Sequence, residues 1–207
     1  MNKGRLEAFS DAVIAIIVTI MILEFKTPET PEIKALLENG PYFFAYIITY
    51  VFVGVAWYNH HYMFSLTKRV TKRIYWLNNI WLLSMSFLPV ATAWTGRFIN
   101  ERGPEYFYYV VHLIWLLAYF FLSDALANAN REVAPERYQK IKAMSIYSTI
   151  TKPYFWVIQV ILLVAIYFFP PIELIFVMVE IYTIGNRTDK ESDQLFNDQK
   201  NTASLLG

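Results

Sequence analysis

The sequence of 207 residues predicts an all-α integral membrane protein, on three observations. Hydrophobic residues make up 56% of the chain and charged residues 17%, against about 45–50% and about 25% in soluble domains. Mean hydropathy is positive, at +0.33. The apolar residues gather into runs approaching the roughly 20 residues that cross a hydrocarbon core of about 30 Å. So much apolar surface excludes a disordered chain. The lack of cysteine excludes a disulfide scaffold, and a net charge of +1 speaks against a nucleic-acid-binding domain.

Six spans are predicted, over residues 6–25, 42–64, 74–98, 106–126, 146–169 and 172–184. Glu7 and Asp11 interrupt the first apolar run, which is therefore read as a retained helix rather than a cleaved signal. Pro170-Pro171 ends the fifth segment, because proline lacks an amide hydrogen and disfavours helix in the residue before it. Lys152-Pro153 is its cytosolic entrance, with Pro153 in the first turn. The sixth run is short and needs polar flanks to complete a crossing. Residues 1–184 thus form one transmembrane domain, and 185–207 a polar cytosolic tail.

Loop charge gives the orientation. Lys3, Arg5, Lys68, Arg69, Lys72, Arg73, Arg131, Arg137, Lys140, Lys142, Arg187, Lys190 and Lys200 fall on one side. Only Lys26, Lys34, Arg97 and Arg102 fall on the other. The positive-inside rule makes both termini cytosolic, as an even number of spans requires. No internal repeat is visible, which weighs against an inverted-repeat transporter.

The first helix carries Arg5, Glu7, Ser10 and Asp11 before an apolar run from Ala12 to Leu23. Asp11 lies about 9 Å beyond Arg5 at 1.5 Å per residue. His60 and His61 precede Lys68 by a similar depth, and Asn78 and Asn79 follow Arg73 at a similar one. A network of Arg5, Ser10, Asp11, a histidine and an asparagine would satisfy these groups internally, as lipid surroundings demand. It could serve as a clasp between helices, as a proton relay or as a metal site, although adjacent histidines splay about 100° apart and do not readily share an ion. His112 reads as an interfacial residue, and Glu180 as a partner for Arg187. Ile16, Thr19, Ile20 and Leu23 form a separate stripe with i, i+3, i+4, i+7 spacing, which by periodicity suits lipid, packing or a pore. Glu24, at the outer end, could concentrate cations.

Arg5, Phe9, Ser10 and Asp11 make an R-x-x-x-F-S-D motif. Together with Tyr58-Asn59-His60-His61, Asn78-Asn79 and the six-span count, the sequence resembles the transmembrane protein 175 family of potassium channels. Its single block of spans resembles the prokaryotic form. The resemblance implies a homotetramer in the cell membrane of a prokaryote, with helix one of each subunit lining the pore. It implies that Ile16 forms the tightest ring, that Ile20 and Leu23 form wider apolar rings, and that Thr19 offers a hydroxyl beside the first. It also implies that Arg5, Phe9, Ser10 and Asp11 form an inter-helix network. Potassium would pass near Ile16 and Thr19, and no cofactor is called for. No T-V-G-Y-G-like segment is present, so backbone carbonyls cannot replace the ion's water. A ring of isoleucines can instead gate by dewetting, with a moderate preference for the more weakly hydrated potassium over sodium. The competing expectation is a proton-coupled transporter built on Asp11, His60 and His61. An enzyme is not expected, since no H-E-x-x-H or nucleophile–base pair occurs.

Overall fold

The computed structural model describes residues 2–184, and the regular secondary structure over them is all helical. Helix α1 (Lys3–Leu23) is followed by the short α2 (Ile33–Leu37) and the long α3 (Gly40–Leu66). Then come α4 (Lys72–Met85), α5 (Leu88–Arg97) and α6 (Arg102–Asn130). The small α7 (Pro135–Ala143) and α8 (Ser145–Ile150) lead to α9 (Pro153–Phe168) and to α10 over residues 172–184. Among the described residues, four helical stretches are long and apolar enough to cross a membrane: α1, α3, α4 with α5, and α6. At 16 residues, α9 is shorter. The tail predicted over 185–207 lies outside the described residues.

Local chemistry explains the ends. Asn2 Oδ1 accepts from the Gly4 amide at 2.9 Å and caps α1, so the helix begins in the polar residues before the apolar run. Thr71 Oγ1 accepts from the Ile74 amide at 3.3 Å and caps α4. The segment expected over 74–98 is two helices, not one, and the one over 146–169 is likewise α8 and α9. In both cases proline is the cause. Pro89 removes a donor and crowds the carbonyl of Met85, so the chain turns at Ser86-Phe87 and restarts with Pro89 in the first turn. Pro153 likewise opens α9, after a turn at Thr151-Lys152.

Helix α1 packs on α3, α4 and α5, while α6 packs on α4, α5, α7, α8 and α9. The core between α3, α4 and α6 is a column of rings. His60 stacks on Trp81 with ring centroids 4.7 Å apart, and Trp115 stacks on Tyr119 at 5.5 Å. Trp81 and Trp115 are therefore core residues. Lipid is as apolar as these side chains, so close packing and buried hydrogen bonds hold such helices together. At the C-terminal end of α1 the Tyr42 hydroxyl donates to the Met21 carbonyl at 2.6 Å, tying α3 to α1. Beside it α5 approaches so closely that a Cβ on Gly96 would fall 2.7 Å from Tyr42 Cα.

His112 is not interfacial. It is 2% exposed and stands between Glu173 and Glu180 of α10. The interfacial expectation rested on its place near one end of the span and missed that α10 covers this face. Glu180 is held by His112, and its expected partner Arg187 lies outside the described residues.

Candidate functional site

Helix α1 has two faces. Leu6, Ser10, Ile14, Ile17 and Met21 recur every three or four residues and are buried against α3, α4 and α5. The opposite face carries Arg5, Phe9, Ala12, Ile16, Thr19, Ile20 and Leu23, all exposed in the protomer. Ile16 is 56% and Leu23 77% exposed, whereas Met21 is 1%. Phe9, Ile16 and Leu23 fall seven residues apart and so line one edge of the helix. Thr19 Oγ1 donates back to the carbonyls of Ala15 and Ile16, at 3.0 and 2.9 Å. With the hydrogen turned inward, the oxygen's lone pairs are left to face outward.

The polar foot of α1 is divided into two groups rather than joined in one network. In the buried group, Asn78 Nδ2 donates to Ser10 Oγ at 2.9 Å, and Ser10 in turn donates to the Leu6 carbonyl. His60 Nε2 lies 2.8 Å from Asn78 Oδ1, and because an amide oxygen only accepts, Nε2 carries the hydrogen. Ser10 of α1, Asn78 of α4 and His60 of α3 are thus linked in one satisfied chain. In the exposed group, Trp57 Nε1 donates to Asp11 Oδ1 at 2.8 Å, and the His61 ring stacks on Trp57.

The expectation that Arg5 and Asp11 join Ser10 in one cluster is therefore corrected. Ser10 and Asp11 are adjacent and about 100° apart around the helix, so one points into the protomer and the other out. Arg5 is exposed and lines a cleft of about 460 Å³ with Asn2, Leu6, Phe9 and Tyr75. Asn79 donates to its own helix, at the Tyr75 carbonyl. Trp57 is the partner that residue typing missed. Its signal was its place one turn before His61 on α3, at the depth of Asp11. Among the described residues no three His, Cys, Asp or Glu side chains converge as metal ligands.

Residues 5–89 match the family described as the endosomal/lysosomal potassium channel TMEM175. A potassium channel of Chryseobacterium sp. (strain P1-3) is 40% identical over 132 residues, which cover 64% of this chain and 69% of that protein. A potassium channel of Streptomyces collinus is 32% identical over 131 residues, 61% of this chain and 64% of that one. The endosomal/lysosomal proton channel TMEM175 of Bos taurus is 34% identical over 117 residues, which span 24% of its length. The crystal structure of a lysosomal potassium-selective channel TMEM175 homolog from Chamaesiphon minutus shares the fold, with a TM-score of 0.66 and 23% identity. That alignment covers 90% of this chain and 97% of the other. The α1 signature, α3 and α4 all lie within the matched residues, and by these matches the chain belongs to the TMEM175 family, a family of ion channels rather than enzymes.

Proposed function

We propose that this chain is a potassium-selective cation channel, assembled as a homotetramer with α1 of each subunit around a shared axis. The observation that carries the reading is the outward face of α1. It leaves Phe9, Ile16, Thr19, Ile20 and Leu23 exposed among the described residues, on the helix that bears the family signature. Ile16 forms the constriction, Ile20 and Leu23 widen toward the outer mouth, and Thr19 supplies a layer of hydroxyl oxygens. Four isoleucines at one level exclude water when close together. A small outward movement admits a partly hydrated ion, and potassium sheds its water at less cost than sodium. The Ser10–Asn78–His60 chain seats α1 on its own subunit, leaving the apolar face free for the axis. In this reading there are six spans: α1, α3, α4 with α5, α6, α9 and α10. Both termini are cytosolic, and the membrane is the plasma membrane of a prokaryote.

The names of the animal relatives, proton channels, favour testing protons as a second permeant ion. A relay through Asp11, His60 and His61 has little support. His60 is sealed against Asn78 and Trp81, and Trp57 stands between Asp11 and His61. An indole N–H donates and cannot accept, so a proton does not pass through it. Bilayer recording with potassium on one side and sodium on the other tests the proposal. The expected result is a unitary current whose reversal potential favours potassium. A current that reverses on the proton gradient alone, or saturable carrier flux without unitary steps, would refute it.

A further inference from the structure

Helices α6 and α10 meet in a group of ionisable side chains that lies beyond residues 5–89 and takes no part in the α1 site. Glu105 and His112 are seven residues apart and share one face of α6, and Glu173 and Glu180 share one face of α10 by the same spacing. His112 stands between the helices. Its Nδ1 lies 2.8 Å from Glu173 Oε1, and its Nε2 lies 2.9 Å from Glu180 Oε2. The imidazole is walled by the rings of Phe52, Trp115 and Phe176.

Glu105 and Glu173 are each 0% exposed. Both carboxyl oxygens of Glu105, and Oε2 of Glu173, are buried without a hydrogen-bond partner. The other ionisable groups beside the cluster are Tyr108 and Tyr109 of α6, both phenols. From α3 come Phe52 and Thr49, whose hydroxyl meets that of Tyr108 at 2.9 Å. From α5 comes Thr92, and from α9 the Gln159 carbonyl accepts from Tyr109. None of the charges acting on Glu105, His112 or Glu173 belongs to a lysine or arginine of the described residues.

Charge counting then decides what the cluster must hold. With every group ionised, three carboxylates and one imidazolium leave two net negative charges inside the bilayer region. An uncompensated charge there is expensive and is cancelled by a counter-ion or by taking up protons. A metal ion fits poorly, because the two nitrogens of His112 face different carboxyl groups on opposite sides of the ring. Protons fit well, since each one placed on a carboxyl removes a charge and supplies the donor that the unpaired oxygens lack.

We propose that Glu105, His112, Glu173 and Glu180 form a proton-binding site within each protomer, separate from the α1 face, which pins α10 to α6 while it is loaded. Loading makes one O–H bond per proton taken from water, and unloading returns that proton to water. Glu180 stands at the edge of a cleft of about 120 Å³ that is also lined by Thr149, Tyr154 and Thr183, which gives the proton its way in.

The test is infrared spectroscopy of the protein in lipid nanodiscs at neutral pH, read at the C=O stretch of protonated carboxyl groups. The other carboxyl side chains among the described residues are exposed or partly exposed, so the band reports this cluster. The expected result is a band in the wild type that weakens in Glu105→Gln and in Glu180→Gln and shifts in His112→Gln. Absence of the band in the wild type overturns the proposal without recourse to any variant, as does a band unchanged by all three substitutions. Amide hydrogen exchange over residues 172–184 is expected to quicken several-fold in His112→Gln, and unchanged exchange there overturns the pinning. Neither readout involves ion flux, so failure here and failure of the channel reading are distinguishable.

Discussion

Ile16 and Ile17 are adjacent in the chain and opposite in the structure, one exposed and the other packed against the neighbouring helices. Helical geometry separates them, and it makes the consequences of mutation separable too. On the proposed pore, Ile16→Asn removes the apolar collar, and because Ile16 is exposed it leaves the protomer core intact. Potassium flux from proteoliposomes should rise about tenfold or more, the change that follows from lowering a barrier by about 1.4 kcal/mol. Ile17→Asn buries an unpaired amide and should instead lower folding yield. The polar foot divides in the same way. Asn78→Ala strips partners from both buried Ser10 and buried His60, at about 1–3 kcal/mol for each group left unsatisfied. Asp11→Ala breaks one exposed hydrogen bond, to Trp57. Thermal unfolding in detergent should therefore show the larger loss for Asn78→Ala. Residue types and depth were enough to bring Ser10 together with one histidine of the 60–61 pair and one asparagine of the 78–79 pair, but not to choose between the members of each pair. The exclusion of Arg5 and Asp11 from that group was not legible, because it depends on the direction in which α1 faces its neighbours.

At the scale of elements, hydropathy placed every long helix, and proline set the departures. Periodicity does not register Pro89 within an apolar run, yet it divides its segment, whereas Pro153 opens α9 in the first turn as its position suggested. The helix pairing between α6 and α10 could not be read from one sequence. In retrospect its trace was a pair of i, i+7 polar positions in each of two apolar helices. The contact between α5 and α3 allows a sharp prediction. Gly96→Ala forces a methyl group toward the Tyr42 backbone at 2.7 Å and should cost about 1–3 kcal/mol as overpacking, measured by thermal unfolding. On the basic side, Lys142 of α7 donates to Asp124 at 2.6 Å and to the Tyr147 hydroxyl. Burial pulls its pKa down, but the bonds to Asp124 and Tyr147 outweigh that and hold it above the usual lysine value of 10.5. A raised lysine pKa contributes stability that is complete below the unfolded value and fades as pH climbs through the folded one. The hold of α7 on α6 should therefore loosen only in strongly alkaline solution. Lys142→Met should abolish that alkaline dependence of hydrogen exchange in α7.

For the whole molecule, one division of labour explains the most. Three other helices grip α1 along one side, and its other side is exposed among the described residues of the protomer. The apolar stripe alone did not separate pore from lipid contact, since many exposed side chains of α9 are equally greasy. Membership of a channel family and the grip on the opposite face are what support the proposal of a pore lined by α1. The chain contains no cysteine, so one introduced thiol is a clean probe. The most direct measurement is current through Ile16→Cys, before and after a water-soluble thiol reagent, with Ile14→Cys and Ile17→Cys as buried controls. Rapid block of Ile16→Cys, with the controls unaffected, is the predicted result. An unreactive Ile16→Cys that conducts normally, alongside block from cysteines on another helix, would contradict a pore lined by α1.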